Sequence, residues 1–179
     1  MEFVELKESR NDLAKLFRGV GAEIGVERGV FSKHICKKNP RTKLYLIDPW
    51  VAYTGYRDHV SQEKLDRFYE ETCIRMGPYN SQIIRKYSIQ AMGDFQDDSL
   101  DFVFIDANHD YNHCLEDIKG WYKKVKKGGI VSGHDYIRRK GQEHLYGVKQ
   151  AVQDFCQQNN ISKLIIYRGD SSPSWMFVK

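Results

Sequence analysis

The side chains best equipped for chemistry fall in two short strings, Asp106-Ala107-Asn108-His109-Asp110-Tyr111 and His134-Asp135-Tyr136. Carboxylates and imidazoles in such company suit either a divalent metal or a proton moved near neutral pH. One isolated histidine is more often a satisfied structural group. Two histidines and two aspartates in matching positions, each string directly after an apolar segment, point to function instead. A second group lies nearer the N-terminus, in Glu23-Ile24-Gly25-Val26-Glu27-Arg28-Gly29. Gly25 has no Cβ, so a ligand can lie against the backbone there. The string lacks the G-x-G-x-x-G spacing that cradles a pyrophosphate. Asp48 follows about 20 residues on, where a carboxylate can accept the hydroxyls of a ribose. Trp50 is suited either to stacking on an adenine or to anchoring the core. Ser88 can meet an adenine or cap a turn, and capping is the commoner fate.

These residues need a scaffold that brings distant strings together, and the hydrophobic pattern supplies one. Short apolar strands alternate with amphipathic helices. Leu6–Arg18 reads as a lead helix. Strands are expected at 22–26, 43–47, 81–87, 101–106 and 130–132. The run Phe102-Val103-Phe104-Ile105 is continuous, as in a strand buried on both faces. Helices are expected from about Gly29 to Lys38, Ser61 (as N-cap) to Met76, His113 to Val125 and Tyr146 to Gln157. Two closing strands, 164–168 and 174–178, form a hairpin at one edge. Alternating strands and helices imply right-handed crossovers, a mostly parallel sheet and helices on both faces. Ligands of such sheets bind beyond the carboxyl ends of the strands, where strand order reverses. Gly25, Asp48, Asp106 and His134-Asp135 all sit at those ends.

The chain has 179 residues, 41% hydrophobic and 29% charged, enough for one domain with a single core. No apolar run approaches the roughly 20 residues of a membrane helix. The acidic N-terminal residues do not read as a signal peptide, so a cytoplasmic protein is expected. Cys36, Cys73, Cys114 and Cys156 are widely spaced, unlike a zinc or disulfide framework. A net charge of +4 is mild, and no aromatic-basic array accompanies it, which argues against nucleic acid as partner.

Ala22–Val26, Leu46–Trp50, Asp101–Tyr111 and Gly128–Tyr136, together with the helix containing Gly147–Val152, resemble class I S-adenosylmethionine-dependent methyltransferases. Within that class they are similar to a small subgroup related to macrocin-type sugar O-methyltransferases. The resemblance runs from about Ala22 to Phe155. It implies a Rossmann-like, seven-stranded sheet with an antiparallel seventh strand. It also implies that Glu23 and Gly25 line the methionine part of S-adenosylmethionine and that Asp48 holds the ribose. Trp50, Ser88 and Asp106 complete the expected cofactor-binding set. The macrocin-type enzymes bind magnesium through an aspartate at the Asp106 place and a pair of acids after the fifth strand. Here that pair is His134-Asp135, so Asp106 and Asp135 are the expected ligands of an optional divalent metal, magnesium or manganese. Asn108 stands where those enzymes carry an aspartate, and an amide cannot take a proton. His109 first and His134 second are therefore the candidate bases. The expected activity is methyl transfer to a hydroxyl of a small polar acceptor. An NAD-type oxidoreductase, a non-catalytic nucleotide-binding module and an RNA methyltransferase are the rivals. Acceptor recognition would fall to the 50–59 and 136–146 loops (Tyr53, Tyr56, Arg57 and His59 among them), the lead helix or a second subunit of a homodimer.

Overall fold

A computed structural model describes residues 1–52, 60–137 and 147–179. The loop residues Tyr53, Tyr56, Arg57 and His59, and nearly all of the 136–146 loop, lie outside the described residues. Among the described residues, eight strands form one sheet in the order β1-β7-β8-β6-β5-β2-β3-β4. They are β1 (Glu2–Leu6), β2 (Val20–Ile24), β3 (Lys43–Ile47), β4 (Ser81–Ile84), β5 (Leu100–Ile105), β6 (Val125–Gly133), β7 (Lys163–Tyr167) and β8 (Ser174–Val178). The helices are α1 (Arg10–Leu13), α2 (Val30–Lys38), α3 (Gln62–Met76), α4 (Ser88–Met92), α5 (Tyr111–Lys124) and α6 (Val148–Gln158). All neighbouring strands run parallel except β8, which is antiparallel to both β6 and β7. This is the α/β, Rossmann-like architecture expected.

The main departure is at the N-terminus. Leu6, expected to open a long lead helix, instead closes β1, which pairs in parallel with β7. The β7–β8 hairpin therefore lies one strand in from the edge, and the sheet has eight strands where seven were expected. The helix is reduced to α1 and a 3-10 turn (Ala14–Leu16). Asp12 sets its start, accepting from both the backbone N–H and the hydroxyl of Ser9 at 2.9 Å.

Apolar clusters fill both faces. On one, Phe17 stacks on Phe102 at 4.6 Å and Phe31 tilts against Phe104 at 4.5 Å, beneath α1 to α3. On the other, Trp121, Phe155 and Phe177 join α4 to α6 to the sheet. The register matters most for the site. Ile24 pairs with Ile47 and Ile105, and Ile105 with Gly133. Those four residues form one tier across the sheet. Gly25, Asp48, Asp106 and His134 follow them, so they emerge side by side where β2, the strand at which order reverses, meets β5.

Candidate active site at the carboxyl end of the sheet

A cavity of about 740 Å³ opens over this tier. Its floor is the glycine turn after β2. Gly25 has φ +84°, and a Cβ there would lie 2.1 Å from the Asp106 carbonyl oxygen. Only glycine permits that backbone approach. Asp48 organises the turn. One carboxylate oxygen accepts the Val26 and Glu27 amides at 3.0 Å each, and the other accepts the Trp50 amide at 2.8 Å. Burial raises the Asp48 pKa, with these three hydrogen bonds opposing the rise. Glu23 is buried beneath the turn and accepts from the Ser32 hydroxyl. Burial pushes its pKa up to about 8, the Ser32 hydrogen bond opposing and the negative charge of Asp106 adding to the rise.

Trp50 borders the cavity but is wholly buried. Its indole N–H donates to the Glu27 carbonyl at 2.7 Å, and the ring meets Tyr69 edge-on at 5.1 Å. An indole so enclosed offers no face to an adenine, so of its two expected roles it takes that of anchor. Ser88 is the first residue of α4, behind Tyr87 at the N-cap. Its hydroxyl donates to Asp117 and accepts the Trp121 indole N–H at 2.8 Å, while the residue lines the cavity. Capping is therefore not its role. Asp117 was missed in the sequence. It lies three residues after Cys114 and four before Trp121, on the buried face of α5, which was a legible signal. Burial raises its pKa to about 6, against the Ser88 hydrogen bond.

The two histidine–aspartate strings do converge. His109 Nε2 lies 3.1 Å from Asp135 Oδ2 and 3.3 Å from Asp106 Oδ1. His134 Nδ1 lies 3.5 Å from Asp135 Oδ2 and 3.9 Å from Asp106 Oδ2. Asp135 has φ +54°, unusual for a residue with a side chain, so its carboxylate is presented by a constrained backbone. Ser172, in the loop between β7 and β8, donates to its other oxygen. Burial alone would raise the Asp135 pKa. The His134 and Ser172 hydrogen bonds and the nearby imidazoles outweigh it and hold the group far below the usual carboxylate range. Asp106, His134 and Asp135 each offer a ligand atom within 4.8 Å of the others. Arg10 also reaches the cluster, its Nη1 3.5 Å from Asp106 Oδ2. No local pattern announced that contact, which spans 96 residues of sequence.

Residues 22–136, well over half of the chain, match the family described as a methyltransferase domain. A protein of Sinorhizobium fredii named uncharacterized protein y4gI is 25% identical over 137 residues, which cover 73% of this chain. The chain spans only 14% of the length of that relative. An O-methyltransferase from Bacillus cereus, solved with S-adenosylhomocysteine, superposes with a TM-score of 0.67 at 12% identity, covering 94% of this chain and 78% of that one. The O-methyltransferase TomG of Streptomyces achromogenes, involved in tomaymycin synthesis and solved with S-adenosylmethionine, gives 0.64 at 16% identity, covering 94% and 77%. The glycine turn, the strand-end acids and the matched span agree, and the chain belongs to the methyltransferase domain family.

Proposed function

We propose that the chain moves the methyl group of S-adenosylmethionine to a hydroxyl of a small polar acceptor, in the manner of the sugar O-methyltransferases it resembles. The observation that carries this reading is the single tier of strand ends. It sets a glycine turn pinned by Asp48 together with Asp106 and His109 around one cavity large enough for a nucleoside and a second small molecule, with His134 and Asp135 in contact with that pair. The cofactors of the two structural neighbours support the same choice.

Bound S-adenosylmethionine supplies a methyl on a sulfonium, whose departure leaves a neutral thioether. The chain's task is then alignment and proton removal. The Gly25 turn, drawn in against the Asp106 backbone, would border the amino-acid end, and the one lone pair that Asp48 has left beyond its three amides is available to a ribose hydroxyl. The acceptor oxygen attacks the methyl carbon as its O–H proton passes to His109. Asp135 stands beside that imidazole and stabilises its cationic form. His134, in contact with the same two carboxylates, is the second candidate.

Asp106, His134 and Asp135 also fit a divalent cation by donor type and spacing. One imidazole with two carboxylates suits manganese better than magnesium, which prefers oxygen ligands alone. Such an ion would lower the pKa of the acceptor hydroxyl and fix its direction.

Calorimetric titration with S-adenosylhomocysteine tests the reading. Micromolar binding that Asp48→Ala abolishes is expected, whereas silence under all conditions would sink it. A screen of hydroxyl compounds for S-adenosylhomocysteine release then finds the acceptor. With it, His109→Ala should lower turnover by roughly 10²- to 10⁴-fold and leave cofactor affinity unchanged. Unchanged turnover would remove His109 from the mechanism.

A further inference from the structure

Among the described residues, the acids and imidazoles at the strand ends are joined by the arginine Arg10. Its backbone is fixed: the amide donates to Asp170 Oδ2 at 2.6 Å, and Gly169 donates to the Glu8 carbonyl at 2.8 Å. The guanidinium is held more loosely. Its 3.5 Å approach to Asp106 is long beside the roughly 2.7–2.9 Å of a tight charge-assisted hydrogen bond. The side chain is about one-third exposed. Its other support is the Phe31 ring, 4.8 Å from Cζ, which would hold the group equally well without Asp106. The root of Arg10 is therefore anchored while its head can leave.

The oxygen it touches is Asp106 Oδ2, the same oxygen that His134 Nδ1 approaches at 3.9 Å. An ion bound between Asp106, His134 and Asp135 through that oxygen would sit where the guanidinium reaches. A divalent ion bonded to this carboxylate at about 2.2 Å would place two positive charges within a few ångströms of a third. We propose that Arg10 is the resident counter-cation of the cluster, and that the guanidinium and a divalent metal are alternative occupants of Asp106. Metal loading then breaks the Asp106 contact and leaves the guanidinium, already over the Phe31 ring, to swing outward toward solvent, and removal of the metal lets it return. The two carboxylates stay compensated in both states, which is what a partly buried pair of like charges requires. This inference rests on the metal site of the proposed function.

Manganese binding to the full chain, followed by the loss of the free-ion electron paramagnetic signal, tests the competition. Arg10→Gln should bind Mn²⁺ roughly tenfold more tightly than the wild type, and Arg10→Lys, which keeps the charge, should stay near the wild type. Asp106→Asn should abolish binding in either background. Equal Mn²⁺ affinity in wild type and Arg10→Gln, with binding still lost in Asp106→Asn, would overturn the competition and leave the metal site standing. No Mn²⁺ binding by any variant would overturn both. Thermal unfolding of each variant shows that the chain is folded, and S-adenosylhomocysteine titration of the wild type without metal separates either failure from a failure of the methyltransferase reading.

Discussion

Glu23 stands among the strand-end residues and is deeply buried beneath the glycine turn, without a cation in direct contact. Its pKa of about 8, against an ordinary 4.5, means the folded chain keeps this proton to higher pH than the unfolded chain does. The resulting stabilisation is complete below about pH 4.5 and is lost as pH rises through about 8. Glu23→Gln keeps an acceptor for Ser32 and never ionises. Chemical denaturation between pH 5 and 9 should show the wild type losing stability relative to this variant, by on the order of a few kcal/mol. Parallel pH profiles would mean that Glu23 is ionised throughout. Linkage also reaches the proposed cofactor, whose sulfonium end is cationic and favours the ionised carboxylate. Residue identities made much of this site legible, because strand-end position alone singles out Gly25, Asp48, Asp106 and His134. What identity could not tell was state. Nothing in the string Ala22-Glu23-Ile24 shows that Ser32 would be the partner of Glu23, or that Trp50 would turn inward and leave no face for a ring.

The elements divide in the same way. The buried strands and the long helices were readable from periodicity, and β3, α3 and β8 begin and end where the apolar pattern does. The N-terminal segment was not. Leu6, Leu13, Leu16 and Phe17 fit a helical spacing, but Phe3, Val4 and Leu6 are claimed by pairing with β7, a tertiary interaction that no local window contains. The consequence is functional, because β1 and α1 carry Arg10 to the cavity. The loop of residues 168–173, an ordinary hairpin connection in sequence, ties both sides of the site together. Asp170 holds the start of α1, and Ser172 holds Asp135. Asp170→Ala removes a charge-assisted acceptor from one backbone amide, a loss of about 1–2 kcal/mol. Thermal unfolding should register a drop of a few degrees, with the sheet's circular dichroism intact. An unchanged midpoint would mean that α1 is positioned by the packing of its own Leu13 into the cluster around Phe17 alone.

At the scale of the whole molecule, surface and cavity carry opposite charge. The chain is net +4, yet Glu23, Glu27, Asp48, Asp106, Glu116 and Asp117 line the cavity against Arg10 and Arg28. With Glu23 largely protonated at neutral pH, the other acids still outnumber the arginines. The acidic cleft favours a small cation within it, whatever the sign of the net charge. S-adenosylmethionine carries a net positive charge, while its demethylated product is a neutral zwitterion, so the cleft should hold the substrate form more firmly than the product. The extra attraction is electrostatic and partly solvent-screened. Raising ionic strength from about 0.05 to 0.5 M shortens the screening length severalfold and should weaken the sulfonium form more than the thioether form. Paired titrations at pH 7 measure the difference. If the two ligands lose affinity in parallel, the carboxylates serve only to organise the backbone, as Asp48 visibly does, and discrimination between substrate and product must rest on contacts with the methyl itself.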